Sequence, residues 1–236
     1  MMDIAENVAR IRANIAAAAE KVGRRPEDIH LVAASKMNDS GRVRQAIAAG
    51  VRICGENRVQ EMLEKQAQGA YEGAELHFIG HLQKNKVKQV VGLASLIQSA
   101  DSPELIRLIH NTALSKGVVQ DILLEVNIGG EASKSGFSPE ELSPALDRIA
   151  ELSAVRVRGL MTIPPKCASP QEIEPYFVRM KQLFIDICEK KYDNVRMDFL
   201  SMGMSADYQA AIACGANMVR VGSAIFGERI YPGRQE

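Results

Sequence analysis

His30-Leu31-Val32-Ala33-Ala34-Ser35 is a short apolar stretch that is followed directly by Lys36. Such a run is typical of a strand that is buried on both faces, as in parallel sheets. Upstream, residues 3–22 place apolar side chains at helical spacing, and the region of Gly23 and Pro26 should end that helix. The segment therefore predicts an N-terminal helix followed by a first buried strand.

The alternation of strand and helix continues along the rest of the chain. Predicted strands lie at 30–35, 51–54, 76–79, 95–98, 121–127, 155–161, 197–201 and 217–221. Predicted helices lie near 40–49, 56–69, 83–91, 102–116, 138–152, 170–190 and 204–214, with a short last one from about 222. This order favours parallel strands joined by right-handed crossovers. Eight units in 236 residues predict an α/β fold, a single (β/α)8 TIM barrel with an additional N-terminal helix, as one domain over 1–236.

A doubly wound open sheet is the competing architecture. That fold usually has fewer strands and often carries a Gly-rich turn after the first one. Here the first strand ends in Ser35-Lys36-Met37-Asn38, without a GxGxxG motif. Strand number and the missing motif together favour the barrel.

Composition excludes several classes of protein. Lys+Arg and Asp+Glu are both 29, so the net charge of zero disfavours a protein that coats nucleic acid. No apolar run reaches the roughly 18 residues that cross a bilayer, and the N-terminal sequence does not resemble a signal peptide. The four cysteines lack CxxC spacing, so neither zinc nor disulfides are expected. We expect a cytoplasmic protein with free thiols.

The positions that follow the predicted strands are much more polar than the strands themselves. In a barrel these positions form the functional face. A lysine at the barrel mouth loses its proton more easily when desolvated, and its neutral amine can attack an aldehyde to form an imine. An ordinary surface lysine is the alternative reading of Lys36. The strand-end residues are Lys36, Glu56, Asn57, His81, Ser99, Asn127, Met161, Thr162, Ser201, Arg220, Gly222 and Ser223.

Two loops near the C-terminus are typical of a phosphate site. Ser201-Met202-Gly203-Met204-Ser205 follows the seventh strand, and Arg220-Val221-Gly222-Ser223 follows the eighth. Barrels commonly bind phosphate in these loops, where unpaired N–H groups at a helix start attract anions. Either loop alone could be a simple turn or cap. Both loops together, opposite a strand-end lysine, predict a phosphorylated aldehyde as ligand. The spacing of His77 and His81 does not predict a metal site, because a strand end separates them.

These residues also carry a family resemblance. The chain resembles the pyridoxal-phosphate homeostasis proteins, and the matching segments follow one another along nearly its whole length. They are Leu31-Val32-Ala33-Ala34-Ser35-Lys36, Gly55-Glu56-Asn57-Arg58-Val59-Gln60-Glu61, His77-Phe78-Ile79-Gly80-His81-Leu82-Gln83-Lys84-Asn85-Lys86, Val126-Asn127-Ile128, Lys134-Ser135-Gly136, Gly159-Leu160-Met161-Thr162, Ser201-Met202-Gly203-Met204-Ser205-Ala206-Asp207 and Arg220-Val221-Gly222-Ser223-Ala224-Ile225-Phe226-Gly227.

The resemblance implies a barrel like the N-terminal domain of bacterial alanine racemase, with pyridoxal 5'-phosphate (PLP) held as an internal aldimine on Lys36. It further implies that Arg220 faces the pyridine nitrogen and that Asn57 lies near the ring. By the same analogy, the phosphate is held by Ser201, Gly222 and Ser223. One departure is that Met37-Asn38-Asp39 stands where the family commonly has Thr-Lys-Pro or a similar sequence.

Chemistry favours a cofactor carrier over an enzyme. An arginine is always charged and would keep the ring nitrogen unprotonated, which weakens the ring as an electron sink. A racemase also needs acid–base groups on both faces of its substrate. Alanine racemases take one from a second domain, for which this chain has no room after its eighth strand, and its own tyrosines offer no obvious substitute. They are Tyr71, Tyr176, Tyr192, Tyr208 and Tyr231.

We therefore predict a non-enzymatic protein of intracellular PLP homeostasis. A slow PLP-dependent racemase or transaminase-like enzyme is the alternative, and a cofactor-free lysine aldolase would explain Lys36 but not Arg220. Candidate partners are PLP, other B6 vitamers and PLP-dependent apo-enzymes, without nucleic acid or membrane. A monomer is the default oligomeric state.

Overall fold

Eight parallel strands close into a barrel in the computed structural model, which describes residues 3–167 and 169–227. The strands pair in sequence order, and the pairing of the first with the eighth closes the sheet. The predicted (β/α)8 barrel is confirmed. The extent of the domain over 1–236 stays a prediction, since Met1, Met2, Ala168 and 228–236 lie outside the described residues. The strands are β1 His30–Ala34, β2 Ile53–Glu56, β3 Glu75–Phe78, β4 Leu96–Ala100, β5 Gln120–Glu125, β6 Val155–Met161, β7 Val195–Ser201 and β8 Met218–Val221.

The helices follow the strands in the order that the sequence predicts. The additional N-terminal helix is present, and Asn7 on it donates a hydrogen bond of 2.9 Å from Nδ2 to the carbonyl of Ile225 in the last helix. Within 3–167 and 169–227, no helix combines the length and the apolar character that a membrane span needs. The helices are α1 Ile4–Glu20, α2 Ser40–Ala48, α3 Val59–Ala67, α4 Val87–Val90, α5 Pro103–Lys116, α6 Leu142–Ile149, α7 Pro170–Cys188, α8 Tyr208–Ala213 and α9 Ser223–Phe226.

The helix predicted near 83–91 is much shorter than expected. A 3-10 turn, Lys84–Lys86, precedes the single turn of α4. Only Val87 and Val90 of α4 are buried, so the segment offers a very short apolar stripe to the barrel. Helices this short depend on tertiary packing for their stability. Because the buried side chains cover a single turn, only that turn is stabilised as a helix.

Strand alternation divides the core into two parts. The larger part lies between the outer face of the barrel and the surrounding helices. The smaller part fills the barrel interior, where side chains from successive strands meet. The inner cluster consists of Val32, Ile53, Ile79, Leu96, Leu123, Met161 and Met218, with Ala34 and Phe199 packed against it.

Candidate functional site

The carboxyl end of the barrel brings Lys36, just past β1, beside β8, which contains Arg220. In β1, Val32 and Ala34 contact the interior cluster, and Lys36 lies two residues past the strand end, in the turn that follows it. Val32 is paired with Arg220 on β8. Arg220 is two residues after inward-pointing Met218 and therefore also faces the interior. Lys36 is half-buried at the barrel mouth.

Arg220 is buried, with 4% of its surface exposed. Its Nη1 donates to Ser201 Oγ at 2.6 Å and its Nη2 donates to the carbonyl of Thr162 at 2.8 Å. Burial lowers the pKa of Arg220 to about 10, against the charges of Glu125 and Asp207. The guanidinium is therefore cationic at neutral pH. It has five N–H donors, so several remain for an acceptor in the interior.

Ser201 lies with Arg220 inside the barrel. Its hydroxyl is fully buried, accepts from Arg220 and donates to Gln98 Oε1 at 2.7 Å. The hydroxyl hydrogen is thus used within the interior, and a bond to a phosphate would require Ser201 to release Gln98. Its role as a phosphate ligand stays a prediction.

The loops after β7 and β8 lie against each other. Ser205 Oγ accepts the backbone N–H of Gly222 at 3.1 Å and that of Ala224 at 3.5 Å. Because both bonds are accepted, the Ser205 hydroxyl hydrogen remains available to an anion. The backbone N–H groups of Gly203 and Ser223 have no partner among the described residues. Together these groups form a set of donors suited to a phosphate.

Gly203 shapes this pair of loops. Its φ of +92° lies in the left-handed region, and a Cβ there would stand 2.6 Å from Ala211 Cβ and 2.9 Å from Tyr208 Cα. Only glycine combines this conformation with such a close approach to α8. Gly203 therefore allows the loop after β7 to pack closely against α8.

Asn57 follows β2 at the same end of the barrel and is half-buried. Its side-chain oxygen, Oδ1, is buried and has no hydrogen-bond partner within the part of the chain that the structure describes. The loop after β3 lies directly on it, since a Cβ on Gly80 would fall 2.2 Å from the Asn57 carbonyl oxygen. An unsatisfied buried oxygen in a close-packed position is costly unless a further group supplies the bond.

A buried ion pair lies behind Lys36, between the barrel and α3. Lys65 Nζ and Glu56 Oε1 are 2.6 Å apart, and their side chains are 8% and 0% exposed. Lys65 also donates to the carbonyl of Ser35 at 2.9 Å, while the Ser35 hydroxyl donates to Glu56 Oε1 at 2.6 Å. The residue immediately before Lys36 is therefore held through both its backbone and its side chain.

The residue after Lys36 is held by the same helix. The Met37 backbone N–H donates to Glu61 Oε2 on α3 at 2.7 Å. Met37 has a φ of +61°, which is uncommon for a residue with a side chain. Asp39 then caps α2 by accepting the Arg42 N–H at 2.9 Å. The atypical Met37-Asn38-Asp39 sequence thus forms a turn and a helix cap.

Glu125 is a carboxylate on the inner face whose charge acts on Arg220. It follows inward-pointing Leu123 by two residues along β5. Burial and the negative charge of Asp101 raise the pKa of Glu125 to about 7, against the positive charge of Arg220. The interior therefore contains a carboxyl group that changes its charge near neutral pH. Strand-end reasoning missed it because Glu125 precedes the end that the sequence predicted at residue 127.

Comparison with known proteins places the chain in a class. The model of the alanine racemase N-terminal domain matches residues 7–230. The barrel also resembles alanine racemase from Clostridium difficile 630, with a TM-score of 0.65 at 18% identity, over 97% of this chain and 57% of that one. The molecule is thus a barrel of the alanine racemase N-terminal class.

Closer relatives define the family. A protein of Aquifex aeolicus named "Pyridoxal phosphate homeostasis protein" is 42% identical over 98% of this chain and 100% of its own length. The Escherichia coli K12 protein of that name is 40% identical over 98% and 99%. PipY of Synechococcus elongatus PCC7942, solved with PLP bound, is 32% identical with a TM-score of 0.83, over 95% and 100%. The chain belongs to the pyridoxal phosphate homeostasis protein family.

Proposed function

We propose that this protein binds PLP through Lys36 and acts as a carrier or buffer of the cofactor. The observation that carries the proposal is the position of Lys36 just past the end of β1, next to β8 with its inward-facing Arg220 and beside the donor-lined loops. Relatives that align with nearly the whole chain are named pyridoxal phosphate homeostasis proteins, and the structure of PipY has been solved with PLP bound. When bound, PLP supplies an aldehyde that bonds to a lysine amine and a ring that withdraws electrons.

The residues present fit that group. Gly203 and Ser223 supply unpaired backbone N–H groups and Ser205 supplies its hydroxyl hydrogen for a phosphate, while the Gly222 N–H is donated to Ser205. Asn57 has an unsatisfied buried oxygen at the same end of the barrel. Arg220 can only donate hydrogen bonds, so it suits an unprotonated ring nitrogen. In this proposal Lys36 and the loops retain the cofactor while Arg220 keeps its ring a weak electron sink.

The tyrosines support a carrier over a racemase. Tyr71 and Tyr208 are buried in the outer core, and Tyr176 and Tyr192 pack against it. Tyr71 donates to Glu56 at 3.1 Å, on the outer side of the barrel. None of the four described tyrosines therefore faces the barrel interior, and Tyr231 lies outside the described residues. A second base of the kind that racemases use is missing from the described inner face.

Lys36→Ala should abolish the imine absorbance of the protein with PLP and leave its folding intact. Lys36 is half-buried at the mouth and belongs to neither core cluster, so its truncation leaves no cavity. Cofactor titration by absorbance and thermal unfolding are the measurements. The matched control is Lys84→Ala, which truncates an exposed lysine in the turn before α4 and should keep the full absorbance. Retained absorbance in Lys36→Ala would contradict the proposal.

One observation favours the alternative of a slow amino-acid racemase or transaminase-like enzyme. Glu125 faces the interior with a pKa of about 7, where a general acid–base group is most effective. We nevertheless expect amino-acid turnover to be undetectable or orders of magnitude below that of true racemases. A racemase needs acid–base groups on both faces of its substrate, and Glu125 could act on one face only. Assays with alanine and other common amino acids test this. A steady rate that disappears in both Lys36→Ala and Glu125→Gln would establish the enzyme instead.

The proposal also includes further ligands, partner proteins, an oligomeric state and a cellular location. They are binding of further B6 vitamers, delivery to PLP-dependent apo-enzymes, a monomeric state and a cytoplasmic location. The free thiols of the described chain, Cys54, Cys167, Cys188 and Cys214, are consistent with a reducing compartment.

A further inference from the structure

A chain of polar side chains crosses the barrel interior below Arg220. Ser201 on β7 bonds to Gln98 on β4, on the far side of the barrel, at 2.7 Å. Gln98 Nε2 lies 2.9 Å from His77 Nδ1 on β3, and His77 Nε2 lies 3.5 Å from Glu75 Oε2. The chain thus begins at the carboxyl end of β8 and ends at the amino end of β3.

The two ends of this chain fix the direction of every bond in it. Arg220 has donors only, so Ser201 must accept from it and must donate onward to Gln98 Oε1. The amide nitrogen of Gln98 then faces His77, whose Nδ1 must accept. This places the ring hydrogen of neutral His77 on Nε2, facing the Glu75 carboxylate, which can only accept.

Burial makes this orientation costly to lose. Gln98 and Ser201 are both 0% exposed, and His77 is 2% exposed. Burial lowers the pKa of His77, and the charge of His30 adds to that, while the Glu75 carboxylate opposes them. The ring is therefore neutral at physiological pH, which leaves Nδ1 free to accept the hydrogen bond from Gln98. Gln98 Nε2 has one further partner, Met218 Sδ at 3.2 Å, which is a weak acceptor. Reversing one bond of the series would therefore leave buried polar atoms without a good partner.

We propose that Gln98 and His77 are positioning residues that hold the Arg220 guanidinium in place through Ser201. They do not reach the cofactor position themselves, since Ser201 and Arg220 stand between them and the barrel mouth. A further consequence is that the exposed carboxylate of Glu75, at the opposite end of the barrel, is linked to the residue that faces the ring. The inference rests on the proposed function, in which Arg220 faces the cofactor ring. The hydrogen-bonded series of side chains is present without a ligand.

Gln98→Met tests the proposal, because methionine keeps the length of the side chain and removes its hydrogen bonds to Ser201, His77 and Met218. In the ¹⁵N-labelled wild-type protein, two-bond ¹H–¹⁵N spectra should show His77 as the Nε2–H tautomer, and the Arg220 side-chain N–H signals should be sharp. In Gln98→Met we expect a mixture of His77 tautomers and broadened Arg220 signals. The affinity for PLP should fall by about 2- to 12-fold, the equivalent of one lost hydrogen bond.

Gln120→Met is the matched control. Gln120 is also a buried strand glutamine, 3% exposed, and it bonds to Gly92 and Ala94 away from Arg220. It should leave the His77 tautomer, the Arg220 signals and the affinity unchanged. If Gln98→Met does not fold, Glu75→Ala replaces it, since the Glu75 side chain is 66% exposed, and it should raise the share of the Nδ1–H tautomer.

Two results would overturn the inference: a wild-type His77 protonated on Nδ1, or Arg220 signals and affinity that do not respond to Gln98→Met. Both spectroscopic readouts are made without PLP. A failure of PLP binding at Lys36 would therefore leave them intact, and the two failures can be told apart.

Discussion

Lys65→Met should destabilise the folded protein by about 3–5 kcal/mol, because it leaves a buried carboxylate without its counter-ion. The Glu56 side chain is 0% exposed. Its Oε1 would retain bonds from Ser35 and Tyr71, while its Oε2 has no partner among residues 3–167 and 169–227 even before the substitution. Urea unfolding followed by circular dichroism measures the loss. Lys65→Met combined with Glu56→Gln should recover part of it, since no buried charge then remains.

The matched control is Lys116→Met. Lys116 at the end of α5 also bonds to two carbonyls, those of Lys88 and Val91, but it is exposed and has no carboxylate partner among the described residues. We expect a loss below about 1 kcal/mol there. Equal losses in the two single variants would show that the Glu56–Lys65 pair is not buried as described. Because Lys65 also holds the carbonyl of Ser35, Lys65→Met should in addition slow the capture of PLP by Lys36.

Glu125→Gln should make the protein more stable than the wild type at pH 8. The expected gain is up to about 3 kcal/mol, because folding raises the pKa of the Glu125 carboxyl group and its ionisation then opposes folding at this pH. The pKa of Glu125 is raised from 4.5 to about 7 on folding. Between these two values the folded state binds more protons than the unfolded state, so wild-type stability falls as the pH rises through this window. Below pH 4.5 the group is neutral in both states, and the two proteins should differ little.

The pH series separates this effect from a general change in packing. Urea unfolding at pH 4.5, 6, 7 and 8 should show a difference that grows with pH. Glu64→Gln, which alters an exposed glutamate on α3, should show no such growth. A difference between Glu125→Gln and wild type that is constant with pH would contradict the account of Glu125 as a half-buried, titrating group.

The fold was largely predictable because each strand is a short apolar run bounded by polar or turn residues. All eight predicted strands are present, with ends shifted by a few residues. The segment near 83–91 was harder to assign because its helical character depends on a single apolar turn. Strand ends are similarly imprecise: Glu56 closes β2 although the sequence predicted an end at residue 54.

The candidate site was predictable only in part. Strand ends indicated Lys36 and Arg220; Lys36 lies just past β1, and Arg220 lies on the neighbouring strand β8. The period of two along β7 could have assigned Ser201 to the interior, since it follows inward-pointing Phe199 by two residues.

The ion pair and the interior chain were missed for a physical reason. A lysine on a helix is usually solvated, and only the contacts of the folded state show that Lys65 is buried. One signal was present in the sequence, since Val59, Met62 and Lys65 recur at intervals of three along α3 and lie on its buried side. Gln98 and His77 are polar residues within apolar strands, and the bond from Ser201 to Gln98 joins strands that are distant in the sequence.

The central claim, that Lys36 is the residue that bonds to PLP, is tested most directly by borohydride reduction followed by peptide mapping. Reduction turns the bond between the cofactor and the lysine into a stable amine, and mass spectrometry of a digest locates the added pyridoxyl mass. We predict that this mass lies on the peptide that contains Lys36, in near-equimolar amount. The same mass on a peptide without Lys36, or no covalent label on a protein that retains PLP, would contradict the account.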